Sequence, residues 1–228
     1  MTTRILAIDT SSAACSAALS VDGAIEERYA LAPRQHAALI LPMIESLLAE
    51  SGSGAGELDA IAFGRGPGSF TGVRIAASIV QGIAFAADLP VIPVSTLAAL
   101  ALGAMRESSG SRVMAALDAR RGEVYWGCFE KSGDAVLLTG DERVCPPAAA
   151  PSPGPGDWVA AGSGWAAYAE VLMRRFGGQV VRVLPDLEPR AGDVVRLALG
   201  EFQRGRLMQP EEAVPVYLRN NVAEVKQS

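Results

Sequence analysis

The order of apolar and polar positions repeats along the chain. Ile5-Leu6-Ala7-Ile8 is a short apolar run ending on Asp9, the pattern of a buried strand closed by a carboxylate. Two strand-like runs, 15–20 and 25–30, then flank Val21-Asp22-Gly23. Asp-Gly between such runs predicts a hairpin. The same order returns at Val113-Met114-Ala115-Ala116-Leu117, which ends on Asp118 and precedes runs 123–129 and 135–138 around Lys131-Ser132-Gly133-Asp134. A strand–Asp–hairpin unit used twice predicts a duplicated α/β fold.

Helical patterns lie between and after these units. Residues 37–50 carry Leu39, Ile40, Met43, Ile44, Leu47 and Leu48 near helical spacing, with Pro42 marking a first turn or a kink. The glycine-serine run 51–56 stops them. The pattern then predicts a strand at 58–63, a helix at 71–87, a strand at 91–94 and a helix capped by Ser95-Thr96 that runs to about Met105. Further on it predicts strand 158–161, helix 165–175, strand 180–183 and helix 192–204. Residues 108–111 divide a first half, 1–107, from a shorter second half, 108–228, whose last segment is expected to pack back on the first. The Pro- and Ala-rich stretch 146–156 reads as a loop.

The helix at 71–87 has Arg74 as its one charge, many small residues, and Ile75, Ile79, Val80, Ile83 and Phe85 spread over more than one face. The helix at 37–50 is similarly apolar over its first half. A surface helix normally keeps a polar face. These two are therefore either buried inside the domain or covered by a partner. In the second case His36, Leu39, Ile40, Met43, Leu47, Ile75, Ile79 and Ile83 are the candidate interface residues.

Composition removes several function classes. Among 228 residues there is one histidine, His36, and three scattered cysteines, Cys15, Cys128 and Cys145. Zinc-protease, zinc-finger and iron–sulfur motifs are excluded. His36, at a helix start, reads as a cap or packing residue. Net charge is −5 and lysine occurs only at Lys131 and Lys226, so no basic stripe for nucleic acid is visible. The chain start shows no secretory pattern, the weakly charged run 75–87 is short for a bilayer, and separated cysteines fit a reducing compartment. The expectation is a cytosolic protein with no membrane contact.

One stretch carries candidate chemistry. Gly64-Arg65-Gly66-Pro67-Gly68-Ser69-Phe70-Thr71-Gly72-Val73-Arg74 follows a strand and opens a helix, where backbone N–H groups and the helix terminus can meet an anion. It lacks the Walker lysine, and Ser69 stands where a dinucleotide fingerprint needs glycine. A structural turn is an equal reading. Asp9-Thr10-Ser11-Ser12 and Asp118-Ala119-Arg120-Arg121 occupy matching places in the repeat. Their carboxylates either hold Mg²⁺ through water or cap their own turns. Asp9, Thr10, Ser11, Gly66, Gly68 and Asp118 are the candidate nucleotide-contacting residues, and no catalytic or metal-ligating residue stands out.

Ile8-Asp9-Thr10-Ser11, the stretch 64–74, Asp118-Ala119-Arg120-Arg121-Gly122-Glu123-Val124-Tyr125 and Pro215-Val216-Tyr217-Leu218-Arg219 stand in order along nearly the whole chain. Together they resemble the bacterial TsaB family, also called YeaZ. The resemblance implies an ASKHA fold, the actin-like and hexokinase-like duplicated architecture related to ribonuclease H, with a reduced second half. It implies a non-catalytic scaffold role in forming N6-threonylcarbamoyladenosine at tRNA position 37. The implied partners are TsaD, which holds the metal and transfers the group, and the ATPase TsaE, with a homodimer forming when TsaD is absent. The tRNA is then met only through the complex. This chain alone binds no cofactor, while ATP or ADP and Mg²⁺ belong to the assembly. TsaD-type members place two metal-binding histidines on the helix equivalent to 37–50; here His36 is followed by Leu39, Ile40 and Leu41, which argues against a metalloprotease. The rival reading is a stand-alone ATP-binding ASKHA-type enzyme.

Overall fold

Alternation along the first strand sets the layering. In β1 (Arg4–Asp9), Leu6 and Ile8 point into one buried cluster while Ile5 and Ala7 point into another. A strand apolar on both faces must be covered on both faces. The computed structural model, which describes residues 2–133 and 135–219, does this with two five-stranded sheets and six α-helices among the described residues.

The first sheet comprises β1, β2 (Ala14–Val21), β3 (Ala24–Leu31), β4 (Ala60–Gly64) and β5 (Val91–Val94), in the order β3-β2-β1-β4-β5. The second comprises β6 (Arg112–Arg120), β7 (Glu123–Ser132), β8 (Ala135–Cys145), β9 (Trp158–Ala161) and β10 (Val180–Leu184), in the order β8-β7-β6-β9-β10. In each sheet the first three strands are antiparallel and the last two join in parallel. This identical order and direction is the duplicated ASKHA α/β fold. The Asp22-Gly23 turn has both residues at positive φ, 49° and 84°, the backbone a tight two-residue hairpin requires. Asp134, in the second expected turn, lies outside the described residues.

The halves differ in their helices. Between β3 and β4 stands α1 (His36–Ser51), with Pro42 in its second turn; between β8 and β9 there is only a short 3-10 turn at Pro147–Ala149 within the loop. Between β4 and β5 runs α2 (Phe70–Ala87), capped by the Ser69 hydroxyl. Its counterpart is broken into α4 (Ser163–Ala167) and α5 (Ala169–Phe176), where the sequence pattern predicts one helix. Two anchors flank the break at Tyr168: Trp165 donates to the Met114 carbonyl (2.9 Å) and the Tyr168 hydroxyl donates to Asp118 (3.2 Å).

Two helices sit at the junction of the halves. α3 (Thr96–Ser108), which follows the first sheet, packs Leu97, Leu100, Ala104 and Met105 on Val113, Ala115 and Leu117 of the second. α6 (Ala191–Gln203), which follows the second sheet, packs Val194, Val195 and Ala198 on Ile5, Ala7 and Ala62 of the first. Each lobe is thus completed by a helix from the other half of the chain. The outer face of the second sheet is filled by Trp126, Trp158 and Trp165, all buried.

Candidate functional site

The glycine stretch after β4 closes over the end of β1. A Cβ on Gly64 would overlap Oδ2 of Asp9, one on Gly68 the Ser11 carbonyl, and one on Gly72 the Thr10 carbonyl. The Arg65 N–H donates to Val94 (2.8 Å), the Gly66 N–H to Thr96 Oγ1 (3.2 Å) and the Ser69 N–H to the Ser11 carbonyl (2.6 Å). The Thr10 hydroxyl donates to the Gly72 carbonyl (2.7 Å), and the Val216 N–H donates to the Arg65 carbonyl (2.8 Å). The N–H donors of Arg65, Gly66 and Ser69, which could otherwise meet a phosphate, are here spent on two backbone carbonyls and the Thr96 hydroxyl. The glycines permit close approach of chain to chain, which makes the stretch a clasp.

Asp9 is fully buried. Its Oδ1 accepts from the Ser11 N–H (2.9 Å) and hydroxyl (2.8 Å), while Oδ2 has no partner. Burial raises its pKa to about 6, against the lowering effect of the Ser11 hydrogen bonds. Asp118 repeats the geometry: its Oδ1 accepts from the Arg120 N–H (2.8 Å) and its Oδ2 pairs with the Arg120 guanidinium (2.9 Å). Each Asp therefore caps its turn through the N–H two residues on. Ser11, Gly68 and Asp118 line a cleft of about 940 Å³ between the lobes, together with Arg34, Arg121 and Arg219. Asp9, Thr10 and Gly66 do not line it. These three are thus turned away from any ligand in that cleft, while Ser11, Gly68 and Asp118 face it; no group of three or more His, Cys, Asp or Glu stands within metal-holding reach among the described residues. Burial pushes the thiols of Cys15 and Cys128 up to about 11 and about 12, which leaves them poor nucleophiles at neutral pH.

The outer sides of α1 and α2 form the other candidate surface. Ile40 and Leu47 lie in the core beneath α1, so they face the sheet and not a partner; this corrects their place among the interface residues. His36 is buried too, its Nε2 set against the carbonyls of Ser12 (3.0 Å) and Ala14 (3.2 Å). Both neighbours are acceptors, so Nε2 carries the proton and ties α1 to the start of β2. Leu39, Met43, Ile75, Ile79 and Ile83 are half-buried against the same core and only partly reach the surface. The open positions are ones the sequence reading did not select. Leu41 is 46% exposed and Phe85 81%, and Thr71, Ser78, Gly82 and Ala86 share the outward stripe of α2. A spacing of three and four among residues 71, 74, 78, 82, 85 and 86 was the available signal.

At the N-terminal end of α2, Phe70 (57% exposed) and Tyr217 (45% exposed) pack with ring centroids 6.0 Å apart. The Arg74 guanidinium lies 3.4 Å from the Phe70 centroid and 5.4 Å from that of Tyr217. Arg219 reaches across to the Ala119 carbonyl (3.1 Å) and Glu123. By length and composition α2 could cross a membrane, because it starts at Phe70 and so exceeds the run 75–87. Here Val73, Ala76, Ala77, Val80 and Ala84 hold it on the sheet.

A family model described as TsaD, tRNA N6-adenosine threonylcarbamoyltransferase, matches residues 30–227. The TsaB protein of Escherichia coli, named for tRNA threonylcarbamoyladenosine biosynthesis, is 44% identical over 96% of this chain and 96% of its own length. That of Haemophilus influenzae is 41% identical over 96% of this chain and 94% of its own. The chain belongs to the TsaB family. The solved structure of YeaZ from Pseudomonas aeruginosa matches with a TM-score of 0.90 and 46% identity, over 95% of this chain and 100% of that one. In this TsaB-family chain the four resemblance-bearing stretches converge: the turn after β1 lies under the clasp, Tyr217 packs on Phe70, and Arg219 holds the hairpin after β6.

Proposed function

We propose that this chain is a non-catalytic scaffold subunit of the machinery that forms threonylcarbamoyladenosine on tRNA, pairing with TsaD and joined by TsaE in the cytoplasm. The observation that carries this reading is the outward side of α1 and α2, where Leu41 and Phe85 are open and Arg74 is the only charge on α2. Exposed aromatic rings and arginine are enriched among interface anchors, and Phe85, Phe70 and Arg74 all stand open on this side. Family membership supplies the pathway, and the inward-turned Asp9 and Thr10 argue against nucleotide chemistry by this chain alone. TsaD is the occupant of that face in the assembly, and a second copy of this chain covers it when TsaD is absent. ATP or ADP with Mg²⁺ belongs to the assembly, not to this subunit by itself. Reconstitution tests the reading. Modification of an unmodified tRNA transcript by TsaD, TsaE and the carbamoyl-adenylate synthase should depend on this chain, and equal activity without it overturns the proposal.

A further inference from the structure

A second groove, of about 1140 Å³, opens between the edge strand β5, α3, α6 and the tip of the β7–β8 hairpin. It shares no lining residue with the interlobe cleft, and no residue of α1 or α2 lines it. Its walls gather Arg65, Arg106, Lys131, Arg196, Arg204 and Arg206, six of the chain's 20 lysines and arginines, in a protein of net charge −5. Glu201 is the one acidic residue among the described residues that line it.

The cations outnumber the carboxylates that hold them. Arg106 and Arg196 share one oxygen of the buried Asp193, at 2.7 and 3.8 Å. Arg204 and Arg206 share Glu201, at 3.0 and 3.3 Å. Glu27 as well as Asp193 acts on Arg196, so it is Arg204 and Arg206 that keep a surplus positive charge, over Glu201, at the mouth of the groove. Burial and the neighbouring Arg106 push the Arg196 guanidinium below its usual value, as expected of a crowded like-charge pair.

The shape of the groove narrows the occupant. Both backbone groups of Val91 bond Met208 (3.0 Å each) and Pro93 has no N–H, so a peptide cannot add here as a strand. No aromatic ring stands among the described residues that line the groove, so these offer neither a platform for unpaired bases nor the aromatic anchors of a protein interface. Guanidinium groups in a fork suit phosphate, and duplex RNA is gripped mainly through its backbone and shape.

We propose that this groove holds the phosphate backbone of a base-paired stem of the tRNA, so that this chain contributes its own grip on the substrate within the assembly. The inference rests on the tRNA-modifying role proposed above. Its test uses the complete reconstituted assembly and an unmodified tRNA transcript, with Lys131→Glu and Arg206→Glu, two exposed positions. The KM for tRNA should rise about tenfold for the double variant while kcat holds. Anisotropy of labelled transcript over a salt series should show the slope of log affinity against log salt falling by about 1 per cation removed. Arg206→Lys, which keeps the charge, should retain most of the affinity. Unchanged KM and salt slope in the double variant overturn the proposal, even where the wild-type chain supports modification. Loss of TsaD or TsaE from the assembly in place of a KM effect also overturns it, by assigning the groove to a protein partner. If the wild-type chain itself fails to support modification, the scaffold reading has failed, which is a separate result.

Discussion

Gly72 shows how a single residue takes its meaning from what it touches. It stands in the first turn of α2, where Ala would ordinarily favour the helix by about 1 kcal/mol. A Cβ there would overlap the Thr10 carbonyl, and overpacking costs about 1–3 kcal/mol. Gly72→Ala is therefore expected to destabilise by about 1 kcal/mol net in urea unfolding, the reverse of the propensity argument. Asp9 offers a pH-dependent counterpart. Its folded pKa is about 6 against an ordinary 3.8, so between these values the folded state binds more protons than the unfolded chain. Its contribution to stability falls as pH rises through that window, by about 3 kcal/mol in all. Asp9→Asn keeps an acceptor for Ser11 and removes the titration. The variant should gain on the wild type between pH 4 and pH 6.5 in paired unfolding curves, and a constant difference across that range would exclude the assignment. The glycine spacing was legible in the sequence, but the clasp was not. Nothing in residues 64–72 says that the carbonyls of Thr10 and Ser11 occupy the space a phosphate would need.

At the scale of elements, α1 and α2 were legible in extent but not in orientation. Periodicity locates the sheet-facing side only when a polar side marks solvent. The first half of α1 and most of α2 carry few polar residues, so spacing alone places Ile40 and Leu47 on the surface although they fill the core, and does not single out Leu41 and Phe85. The test of the interface moves accordingly. On the proposed scaffold role, Phe85→Glu should leave the thermal transition of the isolated chain unchanged and weaken binding to TsaD by about 2 kcal/mol, roughly thirtyfold in Kd by calorimetry. Charge at Met43 or Ile79 should lower stability as well as association, because both pack on the core. The second half shows the opposite case: the pattern at 165–175 reads as one helix, and the anchoring of Trp165 and Tyr168 to β6 accompanies its division into two.

For the whole molecule, the exchange of α3 and α6 between lobes decides how it folds. A fragment of residues 1–107 would contain the first sheet without α6, leaving Ile5, Ala7, Ala62 and Ile92 exposed to water. That fragment is expected to show no cooperative thermal transition by circular dichroism, while the full chain shows one; a cooperatively folding fragment would contradict the exchange as a source of stability. The same exchange draws α3 and α6 together beside the β7–β8 hairpin, and so assembles the cationic groove from positions between 65 and 206.

The sequence by itself determined the doubled strand–Asp–hairpin order, the hairpin at Asp22-Gly23, the helix cap at Ser95, and the family. All of these are local patterns, or similarity carried along the chain. The tertiary structure alone decided which side of α1 and α2 is open, that Asp9 is sealed beneath Gly64, and that six cations scattered through an acidic chain share one groove. The reason is physical: spacing along a chain specifies which way neighbouring side chains point relative to one another, whereas burial and field strength depend on segments brought together from far apart in sequence.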